Sequence, residues 1–141
     1  KYGNKLFKKL VPMRHKIQLQ RAKKTPEFQI DNTAFSTITI NYNYRTGTHK
    51  DRGDLEEGFG NLIVLEKDKC FPGSDTYNGG YLGFPQYKIA VDVRQGDFLA
   101  MDVHQWHTNT KITPTKRGHN NFGRLSLVCY LRKNMIKCQK N

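Results

Sequence analysis

From Ala34 onward the chain is a succession of short strand-like runs cut by turn residues, and this spacing most narrows the folds open to it. Ala34-Phe-Ser-Thr-Ile-Thr-Ile-Asn-Tyr-Asn43 is rich in β-branched and aromatic residues at period two, and Tyr44-Arg-Thr-Gly47 supplies a turn after it. Further strands are expected at residues 61–66, 81–84, 87–93, 98–103 and 124–132, punctuated by Pro72-Gly73, Asn78-Gly79-Gly80, Pro85 and Gln95-Gly96-Asp97. Six or seven short strands with little helix point to an all-β, mainly antiparallel fold: a barrel or a double-sheet jelly roll. One helix is expected before them, over Pro12 to Ala22, because proline is tolerated in a first helical turn.

At 141 residues the chain reads as one domain, with a basic N-terminal segment at 1–33, a jelly-roll core at 34–135 and a tail at 136–141. No apolar run approaches the ~20 residues of a membrane span, so a soluble protein with no membrane partner is expected. Three cysteines, Cys70, Cys129 and Cys138, form no C-x-x-C pair, which argues against a disulfide scaffold or a thiolate zinc site and for a reducing intracellular compartment. The chain starts at Lys1, so a targeting signal can be missing. A nuclear location is expected if the source is eukaryotic, and host cytoplasm if it is viral or phage-encoded. Oligomeric state leaves no mark, and a monomer is the working expectation.

The net charge of +12 is unevenly placed. Residues 1–24 carry nine Lys/Arg and residues 111–141 carry eight, with no acid in either stretch; all twelve acids lie between Glu27 and Asp102. Two basic ends around an acidic middle suit a polyanionic partner whose phosphates they neutralise, nucleic acid above all.

Within this frame one tripeptide carries chemistry. In His49-Lys50-Asp51, side chains two apart on extended backbone share a face, so His49 and Asp51 can reach one metal. Two histidines and a carboxylate make the facial triad of non-haem Fe(II) sites, which keeps positions open for substrate and oxygen. Alone the pair is weak: five histidines and eight aspartates in 141 residues give about 0.3 H-x-D pairs by chance. Its place after a strong strand, with a second histidine following the run Gly96 to Val103, makes the combination much rarer. Spacing leaves His104 and His107 both open as the third ligand, the other then serving as a hydrogen-bond partner or a surface residue. His15 and His119 stand in basic, exposed context and read as non-ligands.

Arg124 is the next element. If residues 123–132 form a strand, Arg124, Ser126, Val128, Tyr130 and Arg132 share one face, while the apolar Leu125, Leu127, Cys129 and Leu131 face the core. A guanidinium grips a carboxylate through two parallel hydrogen bonds, and Ser126 can donate a third, so this face suits a dicarboxylate co-substrate.

Over roughly residues 35–135 these residues resemble the TET/JBP family of Fe(II)- and 2-oxoglutarate-dependent dioxygenases, which hydroxylate the 5-methyl group of pyrimidines in DNA. Three stretches carry the resemblance: Thr48-His-Lys-Asp-Arg-Gly-Asp54 with the following strand Asn61-Leu-Ile-Val-Leu65; His107-Thr-Asn-Thr110; and Gly123-Arg-Leu-Ser-Leu-Val-Cys-Tyr130. It implies a cupin-like double-stranded β-helix, Fe(II) held by His49, Asp51 and His107 in place of His104, 2-oxoglutarate held by Arg124 and Ser126, and O2 as oxidant. It implies methylated DNA as partner, with the target base flipped out or presented on a single strand. Tyr130 falls where TET proteins stack an aromatic ring on that base.

The chain departs from animal TET proteins at Asp54, where they have asparagine, at Arg132, where they have histidine, and in having no cysteine-rich zinc-binding region. It is closer in extent to viral or mobile-element members. Asp54, Tyr130 and Arg132 are the expected substrate contacts. A carboxylate accepts hydrogen bonds and suits the exocyclic amino group of cytosine, so conversion of 5-methylcytosine to 5-hydroxymethylcytosine is the expected reaction. Thymine, a free nucleotide, RNA or a protein side chain are alternative substrates for the same iron site, and a non-enzymatic cupin-like nucleic-acid-binding module is the reading in which the triad is incidental.

Overall fold

The computed structural model describes residues 1–137; residues 138–141 of the expected tail, with Cys138, lie outside the described residues. Three helices, α1 (Tyr2–Leu10), α2 (Pro12–Ala22) and α3 (Lys67–Cys70), accompany nine strands. The strands are β1 (Thr37–Tyr42), β2 (Gly60–Glu66), β3 (Tyr77–Asn78), β4 (Leu82–Phe84), β5 (Ile89–Val91), β6 (Phe98–Met101), β7 (Thr108–Asn109), β8 (Thr113–Pro114) and β9 (Arg124–Tyr130). They form a four-stranded sheet in the order β1-β9-β2-β6, a three-stranded sheet β5-β4-β7 and a β3-β8 pair. Every pairing between these strands is antiparallel. The fold is therefore β-rich and antiparallel, as the strand spacing predicts.

The six expected strands are all present, most of them shorter than their sequence windows. β3, β7 and β8 are additional. Each is two residues long, too short for period-two alternation to register. In the window 87–93 the chain first makes a 3₁₀ turn at Pro85–Tyr87, and Lys88 then takes a left-handed conformation before β5 begins.

Alternation assigns the two faces of the four-stranded sheet. Leu62, Val64, Met101 and Val128 point to one side, where they pack with Leu82, Phe84 and Val91 of the three-stranded sheet and with Val93 and Val103. This is the inter-sheet core. Gly60 of β2 permits the closest approach within it, since a Cβ there would lie 2.3 Å from Val103 Cγ1.

The opposite face is covered by the N-terminal helices. α2 occupies the expected residues, with Pro12 in its first turn. α1 is an additional helix: it has neither an acidic residue in its first turn nor a side-chain cap, so the usual start signals are missing. Tertiary packing holds it instead. Gly3 comes so close to β2 that an added Cβ would lie 3.1 Å from Ile63 Cδ1. Phe7 is wholly buried in a cluster with Ala34, Phe35 and Cys129, stacked on Phe35 at 6.1 Å between ring centroids. His15, expected to be exposed, is instead 4% exposed: its ring meets Phe7 edge-on, and its Nε2 lies 3.1 Å from Asn4 Oδ1. The basic neighbours in sequence fall on the other side of α2, which is why charge context misplaces it. His119 is exposed as expected and pairs with Asp75.

The basic N-terminal segment is thus part of the hydrophobic core. Phe7→Ala is expected to destabilise the protein by about 3–5 kcal/mol, the usual cost of deleting a buried ring, as read from urea unfolding. The helices do not cover the whole face. Ile38, Ile40 and Tyr42 of the edge strand β1 remain exposed, and Leu125 and Leu127 beside them are half-buried, so the apolar face of β9 is only partly core.

Candidate metal centre

The two segments that carry the histidines are joined by the backbone. His49 N donates to His107 O (2.9 Å) and His107 N donates to His49 O (3.0 Å), an antiparallel bridge that places the two side chains next to each other. Asp51 N donates to Val103 O at 3.0 Å, which fixes the carboxylate over the same spot. Their rings stand 4.3 Å apart between centroids. His49 Nε2 lies 3.4 Å from Asp51 Oδ1, and His107 Nε2 lies 3.7 Å from Asp51 Oδ2. One ligand atom from each residue falls within 4.8 Å of the other two, an arrangement able to close around one ion.

The outer nitrogens are already committed. His49 Nδ1 lies 2.8 Å from Gly47 O, and His107 Nδ1 lies 2.9 Å from Gln105 O. A carbonyl oxygen only accepts, so Nδ1 of each ring carries the proton and Nε2 keeps its lone pair for a metal. A further brace holds the loop leading to His49: Asn109 Oδ1 accepts from Thr46 N and from Thr46 Oγ1, while Asn109 Nδ2 donates to Tyr44 O.

His104, open as a ligand on spacing alone, is turned elsewhere. Its Nδ1 lies 3.1 Å from Asp102 Oδ1. Burial acts to raise the Asp102 carboxyl, but hydrogen bonds from Gln105 and from the backbone and ring of His104 outweigh it and hold the group below its ordinary range. The structure therefore brings His107, and not His104, to His49 and Asp51.

All eight expected site residues line one cavity of about 370 Å³: His49, Asp51, Asp54, His107, Arg124, Ser126, Tyr130 and Arg132. That volume is within the ordinary range of small-molecule sites. Arg124, Ser126, Val128, Tyr130 and Arg132 reach it together, as strand alternation predicts. Arg124 is 5% exposed, and its Nε is buried without a hydrogen-bond partner. A buried guanidinium with an open donor is suited to an incoming carboxylate. Gly80, at φ +75°, leaves the space for it: a Cβ there would lie 2.9 Å from Arg124 Cδ.

Behind Arg124 stands a group that sequence reasoning missed. Tyr77 Oη donates to buried Glu66 Oε1 at 2.6 Å, and Arg94 lies 3.5 Å from the same oxygen with its guanidinium 4.8 Å from the Tyr77 ring centroid. Burial and the bond to Glu66 push the Tyr77 hydroxyl up to about 12, so it stays protonated. The signal available was an acid ending the apolar run of β2, a place where an exposed turn residue would read equally well.

Asp54 and Arg132 face each other across a backbone bridge at the cavity edge. Burial, with the Asp51 charge adding to it, pushes the Asp54 carboxyl up to about 7. Its folded value lies above its unfolded one, so the ionised form costs stability: the cost is absent near pH 4 and complete once pH passes 7. In metal-free protein, Asp54→Asn is therefore expected to match the parent near pH 4 and to exceed it at pH 8 by up to about 4 kcal/mol, as read from unfolding at the two pH values.

Residues 1–133 match the Tet_JBP family model, the oxygenase domain of the 2OGFeDO superfamily. The chain belongs to the TET/JBP oxygenase family. Among curated TET/JBP relatives, the bifunctional helicase and thymine dioxygenase JBP2 of Leishmania braziliensis is 35% identical over 136 residues, covering 96% of this chain and 11% of that protein. JBP2 of Trypanosoma brucei brucei (strain 927/4 GUTat10.1) is 36% identical over 132 residues, covering 92% and 11%. The thymine dioxygenase JBP1 of Trypanosoma brucei brucei is 31% identical over 131 residues, covering 93% and 14%. The chain thus spans only a small part of the relatives it matches. The TET/JBP cofactor set is Fe(II), 2-oxoglutarate and O2, and the residues present fit it: a His-Asp-His donor set for the metal and a buried, open guanidinium for the co-substrate.

Proposed function

We propose that this domain hydroxylates the 5-methyl group of a pyrimidine in DNA, with thymine the preferred base. The observation that carries the reading is the placement of the triad, Arg124 and Ser126 in one cavity with Asp54, Tyr130 and Arg132 at its edge. The two packed antiparallel sheets support a jelly-roll core over 34–135, with the cavity opening between them.

In this reading His49, Asp51 and His107 hold Fe(II) through two Nε2 atoms and a carboxylate. Arg124 grips the distal carboxylate of 2-oxoglutarate through its fork, with Ser126 donating beside it. The chemistry that metal and co-substrate supply when bound is insertion of one oxygen atom of O2 into a C–H bond, the other leaving in succinate. The chain's own part is to exclude water and to aim the methyl group. Leu62, Leu82, Met101 and Val128 supply apolar wall, and Tyr130, held by a 3.2 Å contact between its hydroxyl and Thr39, offers a ring face to the base. A methyl carbon stacked in a duplex cannot enter such a cavity, so the base arrives flipped or single-stranded.

Asp54 bears on which pyrimidine. Protonated, it donates and matches O4 of thymine; ionised, it accepts and matches the amino group of 5-methylcytosine. Burial, the larger cause of the rise, does not depend on the metal and holds the Asp54 carboxyl above its ordinary range, so the protonated form gains as pH falls. The activity of the relatives, thymine dioxygenase, points the same way. The second reading, 5-methylcytosine, rests on the ionised carboxyl. Mass spectrometry of nucleosides from oligonucleotides carrying both bases decides between them. The expected result is 5-hydroxymethyluracil in excess, rising relative to 5-hydroxymethylcytosine as pH falls from 8 to 6. Excess 5-hydroxymethylcytosine at every pH makes 5-methylcytosine the substrate.

Backbone contacts at the site fall to residues at its mouth. α1 packs on the face of the four-stranded sheet opposite the cavity, and none of its residues lines it, while Lys50, Arg52 and Arg132 do.

A further inference from the structure

The triad turns one residue of each ligand segment outward. Lys50 lies between His49 and Asp51, and Trp106 immediately precedes His107. His107 is 4% exposed inside the cavity, whereas Trp106 is 43% exposed, and the Lys50 ammonium sits 5.2 Å from its ring centroid. The indole's backbone is held from behind. Trp106 N donates to Gln86 Oε1, Gln86 Nε2 donates to Gln105 Oε1, and the exposed Tyr87 donates its hydroxyl to the same oxygen at 3.0 Å. The result is a braced, partly uncovered aromatic face with a cation on it, reached from a cavity that Lys50 also lines. Among the described residues no carboxylate pairs with Lys50 or with its neighbour at the mouth, Arg52.

We propose that Trp106 and Lys50 form a platform for the nucleotide next to the target base, the indole stacking on the neighbouring base and the ammonium meeting the phosphate between the two. This rests on the reading that DNA is the substrate, and it adds where the strand runs. Drawing one base into the cavity unstacks its neighbour, which then presents a bare π-face to whatever flanks the opening. An aromatic ring answers that face without regard to sequence, because every base has one. The cation–π contact orients the ring, and a lysine with no acid partner keeps its charge for the phosphate. A protein partner is disfavoured by charge: the mouth offers Lys50 and Arg52, on a chain of net charge +12, beside an aromatic group braced by polar side chains.

Trp106 is the only tryptophan in the chain, so its emission reports on this surface alone. The full chain, loaded with Zn(II) to prevent turnover, is titrated with a thymine-containing single-stranded oligodeoxynucleotide. Binding is followed in parallel by anisotropy of a dye at the oligonucleotide's 5′ end. The expected result is quenching of Trp106 emission at the concentrations where anisotropy rises, with affinity about 10-fold weaker in Trp106→Ala and largely kept in Trp106→Phe. Lys50→Gln is expected to lower the slope of log affinity against log salt by about one. Binding without quenching, or Trp106→Ala binding as the parent does, overturns the platform and leaves the DNA reading standing. Equal quenching and tighter binding by the matching RNA overturns the assignment to DNA. No binding to DNA by anisotropy overturns both.

Discussion

Asp51→Ala is expected to abolish the proposed hydroxylation, lowering product formation by about a thousandfold or more, while the metal-free protein unfolds at an unchanged or higher temperature. Asp51 is the one carboxylate of the donor set; without it two imidazoles face the cavity, and a metal held there would lose the set's only anionic ligand. A loss of about 4 kcal/mol in metal or transition-state binding corresponds to that factor. Stability is expected to move the other way. Asp51 is half-buried beside two histidines, and its charge is one of the two causes that raise Asp54. Removing it relieves that repulsion, and the backbone bond from residue 51 to Val103 O does not depend on the side chain. Nucleoside mass spectrometry, Fe(II) titration under anaerobic conditions and thermal unfolding together check the prediction. Turnover above a tenth of the parent's would remove Asp51 from the metal, and a collapse of the unfolding temperature would make its role structural. His49→Ala is expected to behave similarly in activity, with its ring 38% exposed and little packing to lose.

The parts of the site that were legible in sequence share a physical property: they are set by short-range periodicity. His49 and Asp51 two apart, and Arg124, Ser126 and Tyr130 at even spacing on β9 with Arg132 two residues past its end, share a face wherever extended backbone carries them. What alternation does not supply is which distant segment lies opposite. His104 and His107 were equivalent by spacing, and the choice was made by a tertiary bridge between residues 49 and 107 and by Asp102, which takes the His104 ring. The same limit applies to Glu66, Tyr77 and Arg94. They converge behind Arg124 from three separate segments, and each alone reads as an ordinary strand-end or loop residue. In the fold, α1 was invisible for a related reason. Its stability comes from Phe7 docking on Phe35 and Cys129, more than a helix length away in sequence, and not from caps or charges of its own.

Arg124→Ala is the second large effect expected: it raises the KM for 2-oxoglutarate by about two orders of magnitude and leaves Fe(II) binding without co-substrate within about twofold, since Arg124 is not among the metal-donor residues. Truncating one side of a buried, hydrogen-bonded charge pair costs about 2–5 kcal/mol, which spans ~30-fold to several thousandfold in affinity. The variant is expected to fold, because the cluster behind it keeps its own contacts after losing the one between Arg124 and Tyr77. Glu66 keeps the Tyr77 hydroxyl at 2.6 Å and Arg94 at 3.5 Å, so no buried carboxylate is stranded. Arg124→Lys separates charge from geometry: a point cation keeps the attraction but loses the bidentate fork, so an intermediate rise of about 10-fold is expected. Tyr77→Phe removes one support from Glu66 together with the hydroxyl's contact to Arg124; a rise in KM of a few-fold with kcat nearly constant marks a positioning role. Steady-state kinetics in 2-oxoglutarate, with anaerobic titration of the Fe(II)-loaded protein as a binding readout, distinguish these cases. If Arg124→Ala binds 2-oxoglutarate as tightly as the parent, the co-substrate carboxylate lies elsewhere. Arg94, the other guanidinium beside Tyr77 and Glu66, would then be the residue to replace next.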